Sequence, residues 1–128
     1  MVHRSAIIAA SAFAVVIATA MPADAKLKRK LVRYTAGAAI VSAFSEMCGA
    51  KRIGQFQESF IVFAGTKQKL TDKDKTDIMG IFARTKKDAY ERVPAGAARK
   101  DQCSKISKAE RQETIDQGIS GNWKGIAY

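Results

Sequence analysis

Apolar residues recur at helical spacing through three successive stretches of the chain. In the first, from about Thr35 to Cys48, the large apolar side chains follow at intervals of four and three residues: Ile40, Phe44 and Met47. This spacing places them on one face of a helix, and Gly49 stands where a left-handed residue commonly ends one. We therefore predict an amphipathic helix here. Gly37 either weakens its first half or lets another backbone approach closely.

A second apolar stripe repeats at intervals of three, four and three residues: Ile53, Phe56, Phe60 and Phe63. Residues 60–64 are apolar throughout, so this short run taken alone is equally typical of a buried strand. The register set by the two upstream residues favours a helix, which should lose order between Gly65 and Leu70. We expect the phenylalanine stripe to form core. Its alternative role is to line a small apolar ligand pocket.

The clearest helix begins after Thr71, whose hydroxyl can cap the N-terminus, while Asp72 and Asp74 face the positive end of the helix dipole. Behind this start, six side chains lie close to one line on a helical wheel: Ile78, Ile81, Phe82, Thr85, Ala89 and Val93. Pro94 cannot continue the helix. We predict a helix from Thr71 to Val93, followed by a connecting loop at residues 94–98.

The last ordered segment is expected to begin at Cys103. Ser107 and Glu110 have the spacing of a capping box, and Gly118 would close the helix that follows. The apolar face of this helix is poor. Ile106 and Ala109 share a helical face with Cys103, whereas Ile115 lies on a different one. We therefore expect the helix to pack weakly and to depend on a disulfide for docking.

The first 25 residues have the pattern of a secretory signal peptide. A short basic start at His3 and Arg4 precedes an apolar run at residues 5–20, and residues 23–25 supply a small-x-small cleavage site. The run of about 16 residues is shorter than the roughly 20 that span a bilayer, which disfavours an uncleaved anchor. We expect an exported protein, periplasmic or secreted, that begins at Lys26 and does not span the membrane after processing.

Cys48 and Cys103 are the only cysteines, and two cysteines in an exported chain most commonly pair with each other. The bond would close a loop of about 55 residues and stabilise the fold by about 4 kcal/mol in the chain-entropy model. Two free thiols or a bond between two chains are the alternatives. Together with the helical stripes, this pairing predicts an all-α fold, a small bundle of three to four helices held by one disulfide.

The chain accordingly divides into four parts. They are a signal peptide at residues 1–25, a basic N-terminal arm at 26–34, a disulfide-closed helical domain at 35–117 and a glycine-rich tail at 118–128. Within the tail we expect a partly ordered segment in which Trp123 folds back on the core.

Positive charge is the strongest compositional feature. The chain has a formal net charge of +10, and loss of the signal peptide removes Arg4 together with Asp24, so the charge of the mature chain stays the same. Five of its cations fall within eight residues: Lys26, Lys28, Arg29, Lys30 and Arg33. They form either an exposed arm or the solvated first turns of the next helix, and they are candidate anion-binding residues. The alternative is that the excess charge only keeps the protein soluble.

The sequence carries no catalytic or cofactor-binding motif. Its single histidine, His3, is lost with the signal peptide, which leaves no imidazole for acid–base chemistry or for metal or haem ligation. Asp72, Asp74 and Asp77 begin like a calcium-binding EF-hand loop, but the sixth position is Asp77 instead of glycine and the twelfth is Ala83 instead of glutamate. We predict no metal site, no cofactor and no enzymatic activity.

Three function hypotheses remain. The first is a small exported binding protein for an anionic envelope component or an acidic protein partner, since export removes the chain from nucleic acid. The second is a periplasmic stress chaperone that exposes its phenylalanine-rich face, or an inhibitor or immunity-type protein, because proteins of unrelated function share this layout. The third, which the absence of a motif disfavours, is a hydrolase that uses carboxylates such as Glu46, Glu58 and Glu91. The pattern does not fix an oligomeric state.

Overall fold

The computed structural model describes residues 27–128; the predicted signal peptide and Lys26 lie outside the described part. Five α-helices follow one another along it: α1 Arg29–Met47, α2 Ile53–Lys67, α3 Asp72–Arg92, α4 Ala97–Ser104 and α5 Lys108–Ile119. The described residues contain no strand, so the all-α prediction is confirmed. The prediction of three to four helices was wrong, because residues 97–104 form a helix of their own.

Helix α1 begins earlier than the predicted start at Thr35. Leu27 and Leu31 are only 8% and 2% exposed, so the basic segment that carries them is drawn onto the bundle and becomes helical. At the other end of α1, Gly49 has a φ of +88°, the left-handed conformation that its position predicted. Its N–H donates to the carbonyl of Glu46 at 3.0 Å, which satisfies one of the last acceptors of the helix.

Helix α1 runs parallel to α3 and makes its most extensive contact with it. Near the two C-terminal ends, the hydroxyl of Tyr90 donates to Glu46 at 3.1 Å and the ammonium of Lys86 lies 2.8 Å from the same carboxylate oxygen. The buried polar and apolar residues of α1 between its two ends are mostly small: Thr35, Ala36, Ala38, Ala39, Ser42, Ala43 and Ser45. Small side chains let helix axes approach closely, so α1 can contact all four other helices.

Helix α2 confirms the helical interpretation of the phenylalanine stripe, including residues 60–64. Phe56 and Phe60 are fully buried. The ring of Phe60 meets Phe82 of α3 edge-on, with 5.8 Å between centroids, and Trp123 at 5.3 Å. Phe63 is partly buried at the margin of the same aromatic cluster. The stripe is therefore core.

Helix α3 starts with the Thr71 cap that its sequence predicted, and Asp74 adds the reciprocal bond of a capping box, which was not predicted. The hydroxyl of Thr71 accepts from the backbone N–H of Asp74 at 3.1 Å, and the carboxylate of Asp74 accepts from the N–H of Thr71 at 2.9 Å. Five of the six predicted apolar-face residues are buried, and Val93 is partly so. The helix ends at Arg92, two residues before Pro94, as the missing proline N–H requires.

Helix α4 occupies part of the segment that was predicted to be a loop. None of its residues is buried, which explains why no apolar pattern in the sequence predicted this helix. Cys103 lies inside this helix and is bonded to Cys48, which follows the last residue of α1; the two Cα atoms are 5.4 Å apart. The predicted disulfide is therefore present. It fastens α4, a helix with no buried residue, to the end of α1.

Helix α5 presents a different face to the bundle from the one predicted. Its buried residues are Arg111, Ile115 and Gly118, whereas Ala109 is exposed and Ile106 lies before the helix. The hydroxyl of Ser59 in α2 donates to the carbonyl of Gly118 at 2.7 Å. The predicted dependence of this helix on the disulfide is therefore not supported by its contacts, because Ile115 is fully buried and α5 packs along α2.

The residues after α5 complete the core. Trp123 is 2% exposed, and its ring contacts Phe56 at 4.8 Å between centroids, as the predicted folding back of this side chain requires. The chain then crosses α1 at Gly37, where an added Cβ would lie 3.4 Å from the carbonyl oxygen of Ile126 and 3.6 Å from that of Ala127. Of the two alternatives for Gly37, close approach of another backbone is the one observed.

Candidate anion-binding site

Four of the five predicted anion-binding residues lie at the beginning of α1. Lys28 is its N-cap residue, Arg29 and Lys30 are in its first turn, and Arg33 is in the next turn. All four are exposed. At 100° per residue, the three that are helical fall within an arc of about 100° on one side of the helix. Lys26 lies outside the described residues.

This basic segment is fixed to the bundle. Leu27 and Leu31 are buried in the core on either side of the first charges. The backbone N–H of Lys28 donates to the side-chain oxygen of Gln68 at 3.0 Å, which joins the start of α1 to the end of α2. Of the two alternatives that the sequence left open, the described part of the segment forms the solvated first turns of the helix, not a free arm.

The position of these cations is electrostatically unfavourable for the helix itself. The first turn of α1 contains no acidic residue. A cation beside the positive end of the helix dipole destabilises the helix by about 0.3–1 kcal/mol at low ionic strength. No ion pair between residues 27 and 128 involves Lys28, Arg29, Lys30 or Arg33. Within the described residues, no carboxylate at ion-pair distance offsets their charge.

Two further lysines extend the site, and the sequence analysis missed both. Because α2 runs antiparallel to α1 and Gln68 contacts Lys28, the neighbouring Lys67 and Lys69 lie at the same end of the bundle. Both are exposed. We call these six residues the basic end: Lys28, Arg29, Lys30, Arg33, Lys67 and Lys69. Only the antiparallel packing of α1 on α2 brings the two groups together, so local sequence gave no sign of it.

Two of the three acids closest in sequence to Lys69 have partners of their own. The carboxylate of Asp74 is buried and committed to the capping box, and Asp77 pairs with Lys73 at 3.2 Å. Asp72 is exposed in the first turn of α3, where it faces the positive end of its own helix. The other ion pairs of the described chain lie elsewhere and balance charge locally: Arg52–Asp116, Lys86–Glu46 and Arg92–Asp88.

Glu46 is the one carboxylate of the hydrolase hypothesis that has a defined set of partners. Its oxygen is shared by Lys86 and Tyr90, as described above. The hydrogen bond to Glu46 raises the pKa of Lys86, while burial, with the same hydrogen bond next in importance, raises the pKa of Tyr90. Glu58 and Glu91 are exposed. Between residues 27 and 128, no group of three or more histidine, cysteine, aspartate or glutamate side chains could hold a metal ion.

Arg111 is the buried cation of the described chain, and nothing in the sequence pointed to it. It is 6% exposed, and burial lowers its pKa. One guanidinium nitrogen donates to the carbonyl of Gln102 at 3.0 Å, in the last turn of α4, where the negative end of the helix dipole favours a cation. Its Nε atom has no hydrogen-bond partner among the described residues. Arg111 therefore ties α4 to α5 and is not part of the basic end.

No helix in residues 27–128 combines the length and apolar character needed to cross a membrane. Comparison with known protein families, with curated proteins and with solved structures found no match.

Proposed function

We propose that this is an exported binding protein that recognises anionic envelope surfaces or acidic proteins through the basic end. The observation that carries the proposal is the exposed cluster at the start of α1, which makes no ion pair within residues 27–128 and is anchored there by Leu27 and Leu31. Cations placed for solubility alone would be stabilising or neutral at many other surface positions. At the N-terminus of a helix they lower stability, which favours a functional reason for their position.

The export part of the proposal is supported by the disulfide between Cys48 and Cys103, because such bonds persist in oxidising compartments. It agrees with the signal-peptide pattern of residues 1–25, which lie outside the described part. In the envelope, the anionic partners would be acidic lipid head groups, lipopolysaccharide, acidic polysaccharide or an acidic protein.

The test is binding to lipopolysaccharide or anionic vesicles as a function of salt, using protein that begins at Lys26. We expect binding at low ionic strength and release near 0.5 M salt, where the Debye length falls to about 4 Å. A second protein carries glutamine in place of five cations: Lys26, Lys28, Arg29, Lys30 and Arg33. This variant should lose binding, and its melting temperature should stay the same or rise slightly.

A matched control removes five exposed lysines from other parts of the surface: Lys51, Lys87, Lys100, Lys105 and Lys108. Both variants have the same net charge, so the comparison separates the position of the charge from its total. The control should retain most of the binding. Equal loss in both variants would mean that only net charge matters, and the proposal would then fail in favour of a solubility role.

The chaperone hypothesis requires a different property, since Phe56 and Phe60 are fully buried in the closed bundle. It would need a loosened state that binds a hydrophobic dye and suppresses client aggregation at low pH. A protein that remains compact and does not bind the dye down to about pH 3 would eliminate this alternative.

A further inference from the structure

The basic end continues without interruption into an exposed aromatic residue. The ammonium of Lys67 lies 5.3 Å from the ring centroid of Tyr128 and 5.3 Å from that of Phe63. The Tyr128 ring is stacked on Phe63, with 5.6 Å between centroids and 8° between planes, and it packs against Tyr34 at 5.2 Å. It nevertheless keeps 53% of its surface exposed. Tyr128 is thus an exposed aromatic residue that is held by two ring contacts and lies beside Lys67 of the basic end.

We infer that the partner of the basic end is an anionic phospholipid bilayer, bound end-on, with Lys67 and Lys69 adding to the cations of α1 and Tyr128 entering the head-group layer. This inference rests on the proposed function and names its partner. Tyrosine is typical of the boundary between head groups and acyl chains, because its ring is apolar and its hydroxyl stays hydrated. Basic residues beside such a ring meet the phosphates of an anionic leaflet.

The kinds of cation at the site favour a bilayer over an acidic protein. Four of the six residues of the basic end are lysines, which act as point charges on flexible stems. Recognition of particular carboxylates in a protein partner favours arginine, whose planar group forms two parallel hydrogen bonds. Binding to the mobile anionic head groups of a bilayer requires only that the cations be exposed together at one end of the protein. The basic end meets that condition through two antiparallel helices.

The first experiment measures the affinity for vesicles of mixed phosphatidylcholine and phosphatidylglycerol, with pure phosphatidylcholine vesicles as the uncharged reference. Each cation near an anionic surface contributes about fivefold to affinity. Replacing Lys67 and Lys69 together by glutamine should therefore weaken binding by about 20- to 30-fold. The matched control, Lys100→Gln with Lys105→Gln in and after α4, removes the same charge from the opposite end and should change affinity less than about threefold.

The second experiment reports on the orientation. A Tyr128→Trp variant places a fluorophore at the proposed contact, while the buried Trp123 serves as an internal reference. On binding to vesicles that contain brominated lipid, the variant should be quenched much more strongly than the wild-type protein. Vesicle binding without additional quenching, or equal effects of the two lysine pairs, would overturn the end-on contact.

A third arm separates the failure of this inference from that of the proposed function. Soluble polyglutamate presents negative charge without a lipid surface. Binding to polyglutamate but not to anionic vesicles would overturn the bilayer inference and leave the proposed function standing. Absence of binding to both probes and to lipopolysaccharide at any ionic strength would overturn both.

Discussion

Replacing Gly118 by alanine should destabilise the protein, although alanine is the better helix former. Gly118 is buried in α5, facing α2. An added Cβ would lie 2.5 Å from Cε1 and 2.7 Å from Cδ1 of Phe56, and 3.0 Å from the Trp123 ring. Both rings are enclosed in the core and 4.8 Å apart at their centroids, so neither can turn away freely. The methyl group can be accommodated only if α5 moves off α2.

The size of the effect follows from two opposing contributions. Alanine in place of glycine inside a helix stabilises it by about 1 kcal/mol. Overpacking a filled core costs about 1–3 kcal/mol, and the short distances to Phe56 favour the upper part of that range. We expect a net loss of about 1–2 kcal/mol in the free energy of unfolding. For a domain of this size, that lowers the melting temperature by about 5–15 °C.

The measurement is chemical and thermal unfolding followed by circular dichroism, with Gly65→Ala as the control. Gly65 is exposed in α2, and an added Cβ there has no neighbour within 4 Å. This control should raise stability by about 0.5–1 kcal/mol, because only the helix propensity changes. If Gly118→Ala melted at or above the wild-type temperature, the tight packing of α5 on Phe56 would be refuted.

Three further outcomes are expected. Cys103→Ser should lower the free energy of unfolding by about 2–5 kcal/mol. Hydrogen exchange should then show that residues 94–106 lose protection while α5 stays protected. Equal loss of protection in α5 would contradict its independent packing. The raised pKa values of Tyr90 and Lys86 predict stability that is fully present below about pH 10 and declines above it, since both groups hold protons more tightly when folded; Tyr90→Phe should flatten this alkaline decline. Intact mass spectrometry of exported protein should show a chain that begins at Lys26, and a full-length mass in a membrane fraction would contradict processing.

The helices with a strong internal pattern could be predicted from sequence alone. Thr71 and Asp74 define the start of α3 through side-chain chemistry that is local, and Pro94 defines its end. The phenylalanine spacing identifies α2 because Phe56 and Phe60 are buried in the same core and Phe63 packs at its margin. In both helices the information lies within one element, so no knowledge of the tertiary structure is needed.

The errors arose where the outcome depended on partners distant in sequence. The face of α5 was predicted in the register of Cys103, but the chain turns between α4 and Lys108, so helical phase does not carry across. Within α5 alone, Arg111, Ile115 and Gly118 recur at intervals of four and three, and this face meets α2. A charged residue and a glycine concealed the pattern, because neither is counted as apolar.

The sequence likewise revealed only four of the six residues of the basic end. The charges of residues 26–33 stand out in the sequence, and four of them are exposed at the start of α1. Lys67 and Lys69 join them only through the antiparallel packing that places Gln68 beside Lys28. The contribution of Tyr128 depends on the path of the last residues across α1 and α2.

Because Trp123 is buried against Phe56 and Phe60, the direction of synthesis limits how early the core can close. Phe56 and Phe60 emerge from the ribosome more than sixty residues before the indole that covers them, and Cys48 emerges 55 residues before its partner. The early helices therefore cannot close their aromatic core until residue 123 has left the ribosome. Closure of the aromatic core and formation of the disulfide therefore both depend on segments that are made long after α1 and α2.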